Sequence, residues 1–280
     1  MRVRKTAEQP GVLLRFLYQN PVGRGVLRLL THPALSKVAG RFLDSRCSRV
    51  LIRPYIRHYQ MDLSPYERAD YPSFNAFFTR KIRPECRPFV QEDDALASPC
   101  DGKLSVYPVS AGTVFPVKGS SYTVGQLLRD EELAAQFYGG YCFVFRLTVD
   151  DYHRYCYFDS GQKGDNIALP GRLHTVRPIA LERNQVFCEN SREYTVIESD
   201  HFGRAVQMEV GALMVGRIRN YHQAKRVRRG EEKGRFEFGG STVILLLQED
   251  RVCPAQALLD ATADGWETEV RCGEQIGVGS

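Results

Sequence analysis

The stretch FEFGGSTVILLLQED, residues 236–250, sets two glycines and a pair of hydroxyl residues directly before a nearly uninterrupted apolar run. The run STVILLL is rich in β-branched residues and predicts a buried strand. Glycine loses more backbone freedom on folding than any other residue, so Gly239 and Gly240 indicate a sharp turn or a close approach of another group. Ser241 therefore lies between an unusual stretch of backbone and a buried strand.

The chain has 280 residues, a net charge of +5 and 43% hydrophobic residues, which is typical of a globular protein. This length predicts one large domain or two small ones with a sizeable core. A membrane-spanning helix needs roughly 18 consecutive apolar residues, and the sequence has no such run. Arg15 interrupts the early run GVLLRFLY, which argues against a signal peptide.

Eight cysteines are spread along the chain without a C-x-x-C pair, at positions 47, 86, 100, 142, 156, 188, 253 and 272. Their spacing indicates no metal site. An even number of cysteines permits a disulfide framework, but a chain of this size without a signal peptide does not need one. Reduced thiols in a cytosolic protein are the favoured interpretation.

Residues 1–60 carry an excess of positive charge. Ten arginines and two lysines stand against Glu8 and Asp44. Apolar residues recur at helical spacing, as around residues 26–30, while Pro21 and Pro33 divide the segment into short pieces. Such basic amphipathic helices suit an anionic membrane surface, but a solvated helical cap on the core is an equal alternative. Nucleic acid is not expected as a partner, because no binding motif accompanies the charge.

After residue 60 the pattern changes to short strand-like runs separated by Gly, Asp and Asn, such as YCFVFRLTV, YTVIES and STVILLLQ. Helical periodicity is found mainly in TVGQLLRDEELAAQF. The predicted fold class is α+β, with a mostly β catalytic core that is barrel-like or sandwich-like and an N-terminal amphipathic helical segment. The predicted units are residues 1–60 and residues 61–280.

Three residues in separate motifs suit the activation of a hydroxyl. Asp101 lies in SPCDGKL, His153 in DDYHRYCYFDSG and Ser241 in FGGSTVIL. In such a set the carboxylate orients the imidazole, which removes the serine proton. No G-x-S-x-G motif presents the serine to an outside acyl group. The nearest carbonyl is that of Gly240, and attack there would turn the peptide bond into an ester.

Nine sequence blocks, in order, resemble the phosphatidylserine decarboxylase family. The G-S-T block is the most specific of them, because proenzymes of this family cut themselves between that glycine and serine. The blocks are FNAFFTRKIRPECRP (74–88), SPCDGKL (98–104), FPVKGSSYTVGQLL (115–128), DDYHRYCYFDSG (150–161), GRLHTVRPIAL (171–181), FCENSREYTVI (187–197), MEVGALMVGRI (208–218), EEKGRFEFGGSTVIL (231–245) and ETEVRCGEQIG (267–277).

The resemblance implies a scissile bond between Gly240 and Ser241, giving chains 1–240 and 241–280 that remain associated. It implies that Ser241 becomes a pyruvoyl group, which forms a Schiff base with the amine of phosphatidylserine and accepts electrons as carbon dioxide leaves. No external cofactor and no metal are expected. Asp101, His153 and Ser241 match catalytic positions of the family.

One position departs from the family pattern. The family's Y-H-R-x-H block has two histidines, the first linked to decarboxylation and the second to self-cleavage. Here the first is His153, but the second position is Cys156. The alternatives are that His153 serves both steps, that Cys156 is the base, or that self-cleavage is slow or absent.

The resemblance favours a peripheral membrane protein on the cytoplasmic face of the cell membrane, with residues 1–60 on the anionic surface. Two other functions stay open at this stage. One is decarboxylation of another amine-bearing carboxylate, and the other is an uncleaved, non-catalytic lipid-binding role.

Overall fold

The structure is a computed structural model that describes residues 2–4, 16, 20, 23, 33–111, 115–117, 120–171, 186–212, 217–237 and 241–280. Some of the sequence motifs fall outside these ranges. They include the apolar residues 26–30, residues 172–181 of GRLHTVRPIAL, residues 213–216 of MEVGALMVGRI, and residues 238–240 with both glycines before Ser241.

Short elements build the chain. The helices are α1 (Pro33–Asp44), a 3₁₀ helix (Arg46–Leu51), α2 (Ile52–Tyr59), α3 (Phe74–Phe78), a second 3₁₀ helix (Pro84–Cys86), α4 (Val124–Leu128), α5 (Glu131–Ala135), α6 (Val186–Glu189) and α7 (Gln256–Ala263). The strands are β1 (Arg2–Arg4), β2 (Ala95–Ala97), β3 (Gly102–Pro108), β4 (Phe115–Val117), β5 (Ser120–Tyr122), β6 (Tyr141–Leu147), β7 (Arg154–Cys156), β8 (Gly161–Lys163), β9 (Ile167–Leu169), β10 (Arg192–Ser199), β11 (Gly203–Val210), β12 (Ile218–Asn220), β13 (Lys225–Val227), β14 (Glu232–Phe236), β15 (Ser241–Leu247), β16 (Cys253–Pro254), β17 (Glu267–Val270) and β18 (Gln275–Val278).

One large antiparallel sheet organises the core. Its strand order is β1-β17-β3-β6-β15-β11-β10-β8-β13, and β9 also pairs with β10. Smaller sheets are formed by β12-β14-β7, by β16-β18-β2 and by β4-β5. The strand that follows the two glycines, β15, therefore lies in the middle of the large sheet.

Both faces of β15 are buried, which explains its continuous apolar run. Ile244 and Leu246 belong to a core cluster on one face, together with the apolar residues of α4 and α5. Val243 and Leu245 belong to a second cluster on the other face, together with Tyr155 and other residues of the small β12-β14-β7 sheet. A strand buried on only one face would have alternated with polar residues.

A buried ion pair joins the small sheet to the large one. Lys233 on β14 donates to Glu209 on β11 at 2.5 Å, and both side chains are fully buried. Asn220 on β12 accepts from Lys233 and donates to Glu209, each at 3.0 Å. Burial raises the pKa of Glu209, although the Lys233 cation opposes this rise. The two charges are compensated where the sheets face each other.

The helical segment packs against the core through aromatic side chains. Leu43 of α1 and Ile52 of α2 share a buried cluster with Phe74, Phe77 and Phe78 of α3. The Ser48 hydroxyl accepts a hydrogen bond of 2.8 Å from the Phe74 backbone N–H, which fixes the start of α3. The helical segment thus packs directly against α3.

The sequence TVGQLLRDEELAAQF forms two short helices rather than one. Thr123 and Gln126 form a capping box at the start of α4. Arg129 then takes a left-handed conformation with φ of 54° and ends α4, while the Asp130 side chain caps α5. The apolar periodicity alone would predict one continuous helix, but the side-chain caps of Thr123 and Asp130 begin two separate helices.

The predicted fold class is confirmed. The described chain has more strand than helix and a helical N-terminal segment, and because its sheets do not close, the sandwich-like alternative is the correct one. Arg2–Arg4 pair with β17 as an edge strand and so are not helical. All eight cysteines are described and have free thiols.

Candidate active site

Ser241 opens the central strand. Its backbone lies opposite Leu147 of β6, and Thr242 lies between Arg146 of β6 and Val210 of β11. Ladders on both sides therefore hold the first residues of β15. The position of the serine is set by the sheet even though residues 238–240 before it are not described.

Asp101 lies at the same end of the large sheet. It directly precedes β3, in which Lys103 lies opposite Arg146, the residue that also faces Thr242 from the other side. Neighbouring strands are separated by about 4.8 Å, so the chains that carry Asp101 and Ser241 run about 10 Å apart. Gly102 permits this packing, because a Cβ there would lie only 3.2 Å from the Arg146 carbonyl oxygen.

The Asp101 carboxylate accepts three hydrogen bonds. Arg87 donates to its two oxygens, from Nε at 2.8 Å and from Nη2 at 2.5 Å. The Cys272 backbone N–H donates to Oδ1 at 2.8 Å. A bidentate arginine fixes both the position and the orientation of a carboxylate. Asp101 is thus held by Arg87 of the FNAFFTRKIRPECRP block and by Cys272 in the loop after β17.

His153 lies beside the segment that leads to Ser241. Its carbonyl accepts a hydrogen bond of 2.8 Å from the backbone N–H of Phe236, the last residue of β14. The imidazole is 1% exposed, and its centroid is 4.0 Å from that of the Phe78 ring. Among the described residues, neither ring nitrogen has a hydrogen-bond partner of normal geometry.

The environment of His153 keeps its imidazole neutral. Burial lowers the pKa to about 3, and the Arg80 guanidinium adds to the effect. The backbone of Asp151 and the carboxylate of Asp150 oppose the shift but do not reverse it. A neutral imidazole has a ring nitrogen that can accept a proton, and the imidazolium that forms adds one positive charge to the buried site.

The turn between β6 and His153 is fixed by a polar network. Asp151 accepts from the Thr148 backbone N–H at 2.6 Å, and Lys103 donates to the Thr148 hydroxyl at 2.7 Å. Tyr55 of α2 donates to the Val149 carbonyl at 2.5 Å. The helical segment therefore contacts the turn that positions His153.

Cys156, rather than His153, bonds to the segment that carries Asp101. The Cys156 backbone N–H donates to the Pro99 carbonyl at 2.8 Å, and the Cys272 thiol donates to the same carbonyl at 3.4 Å. A hydrogen bond with the Cys156 thiol, followed by burial, raises the pKa of Cys272 well above its usual value. Cys272 thus bonds to Asp101 through its backbone, and its thiol shares the Pro99 carbonyl with the Cys156 backbone N–H.

The predicted hydrogen bond in which the Asp101 carboxylate accepts from the His153 imidazole is not formed. The partners of Asp101 are instead Arg87 and Cys272. Arg80, Arg87 and Cys272 were not among the predicted site residues. Their only sequence signal is that they lie within the FNAFFTRKIRPECRP and ETEVRCGEQIG blocks.

The described residues contain no group of three or more His, Cys, Asp or Glu side chains that could hold a metal ion. The group that the resemblance implies would form from Ser241 itself. The site is compatible with it, because after a cut before Ser241 the strand β6 would still pair with residue 241 and β11 would still pair with Thr242.

Comparison with known proteins gives consistent matches. A family model described as phosphatidylserine decarboxylase matches residues 74–278. The phosphatidylserine decarboxylase proenzyme 2 of Clostridium acetobutylicum is 45% identical over 265 residues, covering 94% of this chain and 91% of the relative. Phosphatidylserine decarboxylase proenzymes of Desulfitobacterium hafniense (38% over 272 residues, 95% and 91% covered) and Clostridium perfringens (37% over 270 residues, 94% and 92% covered) are also similar.

These matches define the class of protein as a decarboxylase, that is, a carboxy-lyase. The chain belongs to the phosphatidylserine decarboxylase family. The activity that this membership supports is the conversion of phosphatidylserine to phosphatidylethanolamine in phospholipid biosynthesis. Nothing in the comparisons supports the other two functions that the sequence left open.

Proposed function

We propose that the chain cuts itself between Gly240 and Ser241, and that residue 241 then carries the pyruvoyl group used to decarboxylate phosphatidylserine. The observation that carries the proposal is the position of Ser241 at the start of a central strand. β15 is paired on both sides with strands of residues 1–240. A cut before β15 would leave the new chain end in place.

The proposed cut proceeds through an ester between Gly240 and Ser241. The Ser241 hydroxyl attacks the Gly240 carbonyl carbon, and the peptide C–N bond breaks as the ester C–O bond forms. A base removes the Cα proton of residue 241, and the Gly240 carboxylate leaves from Cβ. Water then replaces the nitrogen at Cα, so one water is consumed and one ammonia is released. The C-terminus of residues 1–240 becomes a carboxylate.

The proposed roles of the chain's own residues follow from their surroundings. His153 is the proton carrier for decarboxylation and, in the simplest scheme, also the base for the cut. Asp101, held by Arg87, sets the charge near the start of β15. Cys156 is the alternative base for the cut, because it lies on the Asp101 side through Cys272. Once formed, the pyruvoyl carbonyl would supply an electron sink for the substrate carbon that loses carbon dioxide.

Intact mass and lipid analysis of the purified protein test this proposal. We expect two chains, 1–240 and 241–280, whose summed mass equals the uncut chain plus water minus ammonia. Incubation with phosphatidylserine vesicles should produce phosphatidylethanolamine, while phosphatidylcholine vesicles should stay unchanged. A single full-length chain that forms no product would overturn the proposal and would instead fit a lipid-binding role.

We further propose that the helical segment binds the anionic membrane surface. Val38, Phe42 and Val50 are 62%, 49% and 73% exposed. A groove of about 720 Å³ lies beside them, lined by residues that include Phe42 and Tyr59. Five exposed arginines of the same segment supply positive charge: Arg41, Arg46, Arg49, Arg53 and Arg57. No described helix is long and apolar enough to cross a membrane.

Substitutions at the surface test the membrane contact better than deletion of residues 1–60. Deletion would remove Leu43 and Ile52 from the cluster that includes Phe78, the residue in contact with His153. Phe42→Ser combined with Val50→Ser should instead weaken binding to phosphatidylserine vesicles in a sedimentation assay and leave the cut intact. Ile167→Ser is the matched control, since Ile167 is 42% exposed outside the segment.

Salt provides the second arm of the vesicle experiment. Wild-type binding should fall as salt rises, because surface attraction is screened within about 10 Å at 0.1 M. Equal vesicle binding by the double variant and by wild type would rule out this surface as the contact.

A further inference from the structure

Arg80 is a buried arginine with an unusual lack of partners. Its side chain is 2% exposed, and Nη1 donates weakly to the carbonyls of Phe77 and Phe78 at 3.3 and 3.5 Å. Among the described residues, Nε and Nη2 are buried without a hydrogen-bond acceptor of normal geometry, and no carboxylate forms an ion pair with Arg80. The guanidinium is covered by the Tyr66 ring, whose centroid is 4.1 Å away.

Two other arginines near the site use the Nε and Nη2 atoms of their guanidinium groups to bind a carboxylate. Arg87 uses Nε and Nη2 to hold Asp101, at 2.8 and 2.5 Å. Arg146 uses the same two nitrogens to hold Glu267, at 2.9 and 2.6 Å. The Nε–Nη2 edge matches the spacing of two oxygens on a carboxylate or phosphate. In the part of the chain that the structure describes, Arg80 has the same edge buried without an acceptor.

The position of Arg80 points to the substrate. It lies two residues after Phe78, whose ring contacts His153, and its cation lowers the pKa of that histidine. The Thr79 carbonyl between them accepts a hydrogen bond of 2.8 Å from Arg154 of β7. The residue before Arg80 is thus hydrogen-bonded to β7, the strand that directly follows His153. An uncompensated buried charge is costly unless a ligand supplies the opposite charge.

We propose that the Nε–Nη2 edge of Arg80 binds an oxyanion of the phosphatidylserine headgroup beside His153. The proposal rests on the proposed function, since it concerns the substrate of that reaction. Two headgroup oxyanions fit this chemistry, the phosphodiester and the carboxylate.

The reaction favours the phosphodiester. The carboxylate leaves as neutral carbon dioxide, so a cation paired with it would stabilise the ground state more than the transition state. The phosphodiester keeps its charge throughout, and Arg80 would then contribute equally to both states. A bound phosphodiester would also compensate the Arg80 cation and so make protonation of His153 easier.

The test compares Arg80→Gln and Arg80→Lys with wild type and with Arg83→Gln, using the cut two-chain protein. Arg83 is an exposed arginine of the same segment, so its substitution controls for loss of surface charge. Because a hydrogen bond to a charged group is strong, Arg80→Gln should raise KM for phosphatidylserine about 10- to 100-fold and lower kcat much less. Arg80→Lys should lie between, since lysine offers a charge without the planar fork.

Two soluble inhibitors identify which oxyanion is bound. Glycerophosphoethanolamine carries a phosphodiester and no carboxylate, whereas O-methylserine carries a carboxylate and no phosphate. In Arg80→Gln, we expect inhibition by glycerophosphoethanolamine to weaken and inhibition by O-methylserine to stay the same. The reverse pattern would support an oxyanion site at Arg80 but assign it to the carboxylate.

Two outcomes overturn the inference. One is an unchanged KM and unchanged inhibition in cut Arg80→Gln. The other is that Arg80→Gln and Arg80→Lys both stay uncut while Arg83→Gln is cut, which would give Arg80 a role in folding or in the cut. Both differ from failure of the proposed function itself, in which wild type and Arg83→Gln also form no phosphatidylethanolamine.

Discussion

Replacing Ser241 with alanine will leave one chain of 280 residues that forms no phosphatidylethanolamine. Alanine has no oxygen to attack the Gly240 carbonyl, so neither the ester nor the carbonyl group at residue 241 can form. The variant should fold normally, because β15 is held by its backbone ladders with β6 and β11. Intact mass gives the chain number, and headgroup analysis of phosphatidylserine vesicles gives the activity.

The neighbouring hydroxyl supplies the matched control. Thr242 is fully buried, and its Oγ1 has no hydrogen-bond partner among the described residues. Thr242→Val keeps the shape of the side chain and removes only this hydroxyl, so it should still be cut and active. Two chains from Ser241→Ala would show that a separate protease makes the cut, and the self-cleavage proposal would have to be withdrawn.

Replacing His153 with glutamine should lower decarboxylation per cut molecule by about 10²–10⁴-fold, the usual contribution of a general acid–base group. Glutamine stays polar but cannot exchange a proton near neutral pH. If His153 serves both steps, His153→Gln should also accumulate as the uncut chain, whereas Cys156→Ser should be cut at nearly the native rate. Time courses of intact mass and of phosphatidylethanolamine formation separate the two steps.

The opposite pattern would make Cys156 the base for the cut. Cys156→Ser would then accumulate uncut, and Cys156→His would be cut at least as fast as wild type. Slower cutting in Cys156→His would mean that the surroundings suit only a thiol, in which case the match of this position to the family's second histidine is lost.

The pH dependence of stability gives an independent check on His153. Its pKa is lowered from 6.5 to about 3 in the folded chain. Below pH 6.5 the unfolded chain binds a proton there and the folded chain does not, so the free energy of unfolding falls as the pH drops toward 3. Between these values, His153→Gln should lose less stability on acidification than wild type, as measured by denaturant unfolding of Ser241→Ala backgrounds.

The sequence predicts the central strand well because a buried strand depends on local pattern. The apolar run 243–247 indicates burial on both faces, and it forms the central strand β15. The contacts of Asp101 are not readable in the same way. Its partners, Arg87 and Cys272, lie 14 and 171 residues away in the chain, and pattern alone does not pair such distant residues.

The same limit applies to His153. Its motif is evident in the sequence, but its neutral state depends on burial against Phe78 and on the cation of Arg80. Nothing in the spacing of DDYHRYC indicates that α3 packs there. Asp101, His153 and Ser241 can be read as a relay in sequence, whereas the fold separates the first two by giving Asp101 a different partner.

If the chain is cut before Ser241 as proposed, the position of β15 would also make the cut irreversible. Residues 241–280 supply β15 to the middle of the large sheet, β17 between β1 and β3, and β18 between β2 and β16. Once the backbone is cut, these strands belong to a separate peptide whose exposed apolar residues favour aggregation. The chain must therefore fold before it is cut, and a mature molecule that is fully denatured should not regain its activity on dilution.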